Sequence, residues 1–300
     1  MTVQAMPLLR HPFKAMGSLC EIRLHADADA AALAGEGEVR RLESKYSRFR
    51  DDSVTTLVNR SAGNPAGIDV DEETAALLDY AQTAHDLSGG LFDITSGVLR
   101  RAWDFKSNRL PSNDQLQALL PLVGWTKVRW QRPHLVLPAG MEIDFGGVVK
   151  EYAADRAAQA CRDAGASSGF VELGGDIAVI GPHPDGAAWE IGVRSPSDPE
   201  KAAARIALRG GGIASSGDYE RCIEIDGVRW CHILDPRTGW PARQLAGVSV
   251  IADQCLIAGT ASTVAMLKPA AEARAWLATL GLPHLCIDAE GRLSGTLAVA

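Results

Sequence analysis

Residues 141–156, MEIDFGGVVKEYAADR, decide how the chain is read. Ile143 and Phe145 flank Asp144, an alternation that predicts a short strand. Gly146 and Gly147 then allow a tight turn and the close approach of another group. From Val148 the pattern turns helical through Lys150, Tyr152, Ala153, Ala154, Ala157 and Ala158, with Gly165 as the stop signal. A carboxylate, a glycine pair and a lysine therefore meet where a strand feeds a helix. Free N–H groups at a helix start attract an anion, and Lys150 adds positive charge. The same glycines would also serve a simple packing corner, so the rest of the chain has to separate the two readings.

On the N-terminal side, Ser18 to His25 alternates as a half-buried strand. Ala28 to Lys45 is helical in composition, although Gly35 and Gly37 weaken its middle. Tyr46 to Phe49 and a polar loop follow. Asp71 is placed to cap a helix running to His85 and stopped by Gly89-Gly90. Gln115 to Leu122 predicts a short helix, and residues 128–130 and 135–137 a hairpin leading into the 143–145 strand. On the C-terminal side, Phe170 to Leu173 predicts a strand that continues, past Gly174-Gly175-Asp176, through Ile177 to Ile180. Further strands are predicted over Trp189–Val193, Ala204–Leu208 and Val248–Ile251, and helices over Leu256–Leu267 and Ala270–Leu280. Asp226-Gly227 between two apolar runs is a hairpin signal, and a second hairpin closes the chain around Glu290-Gly291. Hairpins and helices without regular βαβ alternation predict an α+β fold with mixed or antiparallel sheets and flanking helices.

Composition narrows the function. The 300 residues, 46% apolar, suffice for a large core. A net charge of −7 with scattered Lys and Arg argues against a nucleic-acid footprint. No apolar run reaches the length of a membrane span. MTVQAMPLLRHPFKAMGS lacks the apolar core and cleavage site of a signal peptide, which predicts a cytoplasmic protein. Six cysteines without a C-x-x-C fit reduced thiols, although Cys222 and Cys231 would face each other across the Asp226-Gly227 hairpin.

Four small-residue turns carry an acid or a hydroxyl: Asp144 to Gly147, Gly174 to Asp176, Ser215 to Asp218 and Asp235 to Gly239. Each alone would be satisfied as an Asx-type turn. Together, with Lys150, Arg221, His232 and Arg237 close by in sequence, they suit a phosphorylated ligand, whose oxygens backbone N–H groups and guanidinium forks can hold. His232, at a predicted strand end, is placed to act as acid or base near neutral pH; a packed histidine is the alternative. Neither G-x-x-x-x-G-K-[ST] nor G-x-G-x-x-G occurs, which removes the P-loop and dinucleotide-fold readings.

Met16-Gly17-Ser18, Tyr46 to Phe49, Gly89 to Thr95, Asp144 to Tyr152, Glu172 to Asp176, Ser216 to Arg221 and His232 to Gly239 follow one another in a specific order and spacing. In that order and spacing the chain resembles the ApbE family of FAD:protein FMN transferases. The resemblance implies one ApbE-like domain over residues 1–300, with two interleaved subdomains and FAD between them. It implies Mg²⁺-assisted cleavage of FAD, transfer of FMN to a Thr or Ser of a target flavoprotein, and release of AMP. The positions matching the family's FAD pocket are Met16, Tyr46, Leu91, Phe92, Asp93, Asp144, Lys150, His232 and Ile233. Its metal positions correspond to the Val149 carbonyl, to Gly259 where relatives carry Asp, and to the Thr263 hydroxyl. His232, with Asp218 second, is the candidate base for the acceptor hydroxyl.

Gly259 is the main departure: the family's A-D-A-L-[AS]-T is here Ala258-Gly259-Thr260-Ala261-Ser262-Thr263. Mg²⁺ prefers oxygen and usually keeps one or two carboxylates besides phosphate. Glu151 is one replacement, where many relatives have glycine; the alternative is a solvated first-turn Glu favoured by the helix dipole. Asp253 and Asp218 are further replacements. The departure keeps two other functions open, a flavin-binding protein without transfer and an FAD pyrophosphatase.

Overall fold

The computed structural model describes residues 7–25, 28–107, 109–196, 198 and 200–298. The first strands, β1 (Leu8–Ala15) and β2 (Ser18–His25), are joined by a turn in which Met16 and Gly17 both have positive φ. Then come α1 (Asp29–Tyr46), α2 (Val54–Arg60), β3 (Ile68–Asp69) and α3 (Glu72–Ser88). A 3-10 segment over Ile94–Arg101 and α4 (Asn113–Leu119) lead to β4 (Arg129–Gln131) and β5 (His134–Val136). After α5 (Val149–Asp163) run β6 (Gly169–Leu173), β7 (Asp176–Gly181), β8 (Trp189–Arg194) and β9 (Ala202–Leu208). Next are β10 (Gly212–Gly217), β11 (Cys222–Ile225), β12 (Val228–Cys231) and β13 (Gly247–Ala252). The chain closes with α6 (Cys255–Leu267), α7 (Ala270–Thr279), β14 (His284–Ile287) and β15 (Leu293–Ser294).

The organising layer is an eight-stranded sheet in the order β1-β2-β6-β7-β10-β13-β14-β15, antiparallel at each junction. Its two faces follow the period of two that strands impose. Val171, Leu173, Ala178, Ala214, Val248, Val250 and Cys286 point into the larger core with α1, α5 and α6. Phe170, Ile177, Val179, Ile213, Leu285 and Ile287 point the other way, against the β8–β9 ribbon. Because both faces are covered, β7 is buried along its whole length. The fold is α+β, as the element pattern predicts.

Local signals explain several boundaries. The Asp71 carboxylate accepts from the Glu73 and Thr74 N–H groups at the start of α3, and Gly89, at φ 66°, caps its end. Asp226 and Gly227, at φ 53° and 73°, close the β11–β12 hairpin. Gly35, which weakens α1 on propensity, is what lets α1 approach α5 closely: a Cβ there would stand 2.6 Å from Cys161 Sγ.

Three expectations need correction. Residues 143–145 form no strand: the Ile143 backbone is bonded on both sides by the Asn59 side chain (2.7 and 2.9 Å), and the Asp144 N–H donates to the Ile94 carbonyl. Phe145–Gly147 is instead a 3-10 turn into α5. Residues 177–180 do not continue the preceding strand; Gly174 and Gly175, at φ 60° and 93°, fold β7 back on β6. The polar loop after Tyr46 contains α2, capped by the Ser53 hydroxyl. The described cysteines are free, with Cys222 directly opposite Cys231. No helix among the described residues is long and apolar enough to cross a membrane. Residues 1–6, part of the segment on which the signal-peptide argument rests, lie outside the described residues.

Candidate active site

The Gly146-Gly147 turn is the junction of two groups of sequence-predicted residues. On one side lie the aromatic and acidic residues. The Phe92 ring lies 3.8 Å from where a Cβ of Gly147 would be, and the Tyr46 and Phe145 rings are 5.1 Å apart. Leu91, Phe92 and Tyr46 are all buried. The Tyr46 hydroxyl pairs with Thr74 Oγ1 at 3.1 Å, and burial raises its pKa. Asp93 is an anchor: its carboxylate accepts from the Thr95 N–H (2.8 Å), the Thr95 hydroxyl (2.6 Å) and the Trp125 N–H (2.9 Å). Asp144 accepts from the Gly146 N–H at 2.8 Å and pairs with Arg48, and Gly97 makes room for it. The carboxylate thus holds the glycine turn open from its own N-cap position.

On the other side, the first turn of α5 carries Val149, Lys150 and Glu151. Lys150 Nζ lies 2.6 Å from Asp176 Oδ2 at the start of β7. Burial opposes the ammonium charge, but the Asp176 and Glu151 carboxylates outweigh it and hold Lys150 protonated well above its ordinary value. Asp176 Oδ1 also accepts from the Ser215 N–H at 3.1 Å on β10. Ser216 pairs with the Ser262 hydroxyl (2.8 Å) and the Thr263 hydroxyl (3.2 Å), so β10 meets the same face of α6 that carries Gly259 and Thr263.

Glu151 is buried, not the solvated first-turn residue of the alternative reading. A Cβ at Gly259 would stand 2.5 Å from Glu151 Cγ and 3.0 Å from Oε1. Burial first, and the Asp176 carboxylate second, push the Glu151 carboxyl above its usual range. Its Oε2 is buried without a hydrogen-bond partner. Of the other two replacements, Asp253 is exposed ahead of α6, and Asp218 Oδ1 is paired with Arg229 at 2.9 Å.

The rim comes from two hairpins. The Met16-Gly17 turn adjoins Arg221, whose Nη2 would be 3.7 Å from a Cβ at Gly17, and the Met16 N–H donates to Glu43. Arg221 and His232 face each other just beyond β11 and β12, the His232 N–H donating to the Arg221 carbonyl at 3.0 Å. Ile233 beside it is buried. The protein surface crowding His232, then Arg221 and more weakly Lys150, lower its pKa to about 4. Water still reaches the ring and screens part of this effect, and the imidazole is neutral at pH 7. Burial raises the Asp218 carboxyl, with Arg229 opposing.

Asp176, Arg48 and Ser216 also belong to this constellation. Asp176 and Ser216 lie in two of the turns that suit a phosphorylated ligand, without a named role; Arg48 carries no signal beyond its motif. Two clefts lie away from this constellation. One, of about 320 Å³, is an apolar groove between α3, α6 and α7 lined by Tyr80, Leu87, Ile257 and Trp276. The other, of about 340 Å³, is lined by Asp235, Arg237, Trp240 and Arg243. Neither is lined by Lys150 or His232.

The family model for the ApbE family matches residues 16–285. The chain belongs to the ApbE family. An FAD:protein FMN transferase of Treponema pallidum is 30% identical, over 84% of this chain and 79% of its own. The Escherichia coli FAD:protein FMN transferase is 31% identical, over 82% of this chain and 73% of its own. The crystal structure of an ApbE protein from Thermotoga maritima superposes with a TM-score of 0.90 at 32% identity, covering 97% of each chain. The ApbE match begins at the Met16 turn and ends in β14, so it spans every residue of the constellation above.

Among the described residues, no three His, Cys, Asp or Glu side chains converge as a ready-made metal cluster. The donor set at the α5 start still fits a divalent cation shared with a diphosphate. It offers the buried Glu151 Oε2, which has no partner, the Asp176 carboxylate, whose counter-cation is Lys150, and the Thr263 hydroxyl. A cation that takes most of its ligands from phosphate and water needs few from protein.

Proposed function

We propose that this ApbE chain, acting as one catalytic domain, cleaves the diphosphate of FAD and transfers FMN to a Thr or Ser hydroxyl of a target flavoprotein, releasing AMP. The observation that carries the reading is the protonated Lys150 at the first turn of α5, fixed by Asp176 beside a glycine turn that Asp144 holds open. The helix start and Lys150 favour the diphosphate there, and Arg221 adds charge from the rim. A bound Mg²⁺ would neutralise phosphate charge as the P–O bond to AMP breaks. Glu151, the Val149 carbonyl and Thr263 are the residues positioned to hold it. Tyr46, Leu91 and Phe92 form the apolar and aromatic flank of the turn, suited to the flavin end. His232, neutral at pH 7, accepts the proton of the attacking hydroxyl, whose oxygen forms the new bond to phosphorus while the AMP oxygen leaves.

The test incubates the protein with FAD, Mg²⁺ and an acceptor domain from a flavoprotein modified by a relative. Fluorescent acceptor on a denaturing gel, with stoichiometric AMP, supports transfer. AMP without labelled acceptor supports hydrolysis, and bound FAD with neither product supports a binding protein. No FAD uptake by calorimetry overturns all three.

A further inference from the structure

Two features at the α5–α6 contact are costly on their own. Gly259 lies inside α6, where glycine is less favourable than alanine. Glu151 Oε2 is buried with no hydrogen-bond donor, which is unfavourable for a polar group and more so for a charge. Each explains the other sterically. A Cβ at position 259 would stand 2.5 Å from Glu151 Cγ and 2.9 Å from its Cδ, so the Glu151 side chain fills the volume a residue at 259 would occupy. That exchange accounts for the glycine but not for the orphaned oxygen. Lys150 is paired with Asp176 at 2.6 Å, and the Asp176 carboxylate that Glu151 meets brings a second negative charge to the same place. One helical turn along the same face, Thr263 offers a hydroxyl.

We propose that Glu151 supplies the carboxylate of a hard divalent-cation site, delivered from α5 into the space left by Gly259. The carboxylate approaches the site from the opposite helix to the one that carries position 259. Asp176 has Lys150 as its counter-cation, whereas no Lys, Arg or His among the described residues lies at ion-pair distance from Glu151. The assignment rests on the flavin-transferase reading only for the identity of the phosphate that shares the cation.

The experiment titrates Mn²⁺, read by its electron paramagnetic resonance signal, into the full-length protein with and without FAD. FAD binding is measured separately by calorimetry in the presence of a chelator. Glu151→Gln, which keeps the side-chain shape, should weaken Mn²⁺ binding at least about tenfold, with cation-free FAD binding retained. Gly259→Asp alone should lower the melting temperature, because it meets Glu151. Glu151→Gly with Gly259→Asp should recover both the melting temperature and the Mn²⁺ affinity, by moving the carboxylate to α6. Equal Mn²⁺ affinity in wild type and Glu151→Gln overturns the proposal, as does a wild type that takes up no Mn²⁺ under either condition. If the double variant fails to fold, the Glu151→Gln titration decides alone. Mn²⁺ uptake that depends on Glu151 without any FAD binding would uphold the cation site and remove the flavin reading, so the two fail separately.

Discussion

Lys150 Nζ and Asp176 Oδ2 are 2.6 Å apart, and the Asp176 side chain is 2% exposed. A pair this buried is costly to break from one side, because the remaining charge stays in a low-dielectric site. Lys150→Met should therefore lower stability by about 3 kcal/mol, and adding Asp176→Asn should recover most of it. FAD affinity should behave differently. If Lys150 also meets the diphosphate, the single and the double variant should both lose about 2 kcal/mol of binding, roughly thirtyfold in Kd. Urea unfolding and calorimetry on the same three proteins check both halves. Full recovery of FAD binding in the double variant would reduce Lys150 to a partner of Asp176.

Gly35 and Gly37 lie two residues apart in α1 and should respond oppositely to alanine. At Gly35 a Cβ would stand 2.6 Å from Cys161 Sγ, 2.8 Å from Ile22 Cδ1 and 3.4 Å from the Ala157 carbonyl oxygen. Overpacking of this kind costs about 1–3 kcal/mol and exceeds the gain in helix propensity. At Gly37 a Cβ meets nothing within 4 Å, so Gly37→Ala should stabilise by about 0.5–1 kcal/mol. Thermal unfolding of the two variants gives the signs directly, and equal signs would contradict the close α1–α5 contact.

Glu73 joins three helices. Its carboxylate accepts from Arg41 at 2.6 and 2.8 Å, from Lys45 at 2.8 Å and from the Tyr152 hydroxyl at 3.2 Å. Hydrogen bonding to Arg41 is the largest of the influences that hold its pKa at about 2, below the ordinary value of 4.5. The folded pKa lies below the unfolded one, so the stabilisation is complete above about pH 4.5 and is lost as pH falls towards 2. Arg41 is half-exposed and screened, so Glu73→Gln should cost about 1–2 kcal/mol at pH 7. That gap should narrow steadily in urea titrations between pH 5 and about 2.5. A gap independent of pH would mean that the network acts through packing and not through charge.

The parts of the fold that local chemistry specifies were legible in the sequence. Asp71 and Gly89 bound α3 because one accepts orphan N–H groups and the other adopts positive φ. Asp226-Gly227 sets its hairpin for the same reason. The 143–145 segment misled because its alternation serves burial, while its backbone bonds go to the Asn59 side chain, 84 residues away. In the site, the glycine turn and Lys150 were readable from their spacing. The burial of Glu151 was not. A glutamate in a helix's first turn is ordinarily solvated, and only the glycine at 259 on another helix makes room for it. Asp176 was visible as a turn residue but not as the partner of Lys150, since that contact depends on β7 folding back on β6.

His232 should leave its mark on the pH dependence of the reaction. Crowding by the surrounding protein, with Arg221 and Lys150, lowers its pKa to about 4, so the neutral, proton-accepting imidazole persists below the ordinary value of 6.5. As a base it is lost only when protonated, so the acid limb of kcat for AMP release should fall below pH 6.5. Arg221→Gln removes a positive neighbour of the ring. It should therefore move that limb upward, towards the ordinary value, whatever it does to the maximal rate. His232→Asn should lower kcat by about 10²–10⁴ and abolish the limb. Asp218, already paired with Arg229 at 2.9 Å, should tolerate Asn with a much smaller loss. Steady-state AMP release from pH 4.5 to 8.5 for the four proteins measures all of this. A limb that survives in His232→Asn but vanishes in Asp218→Asn would transfer the role of base to Asp218.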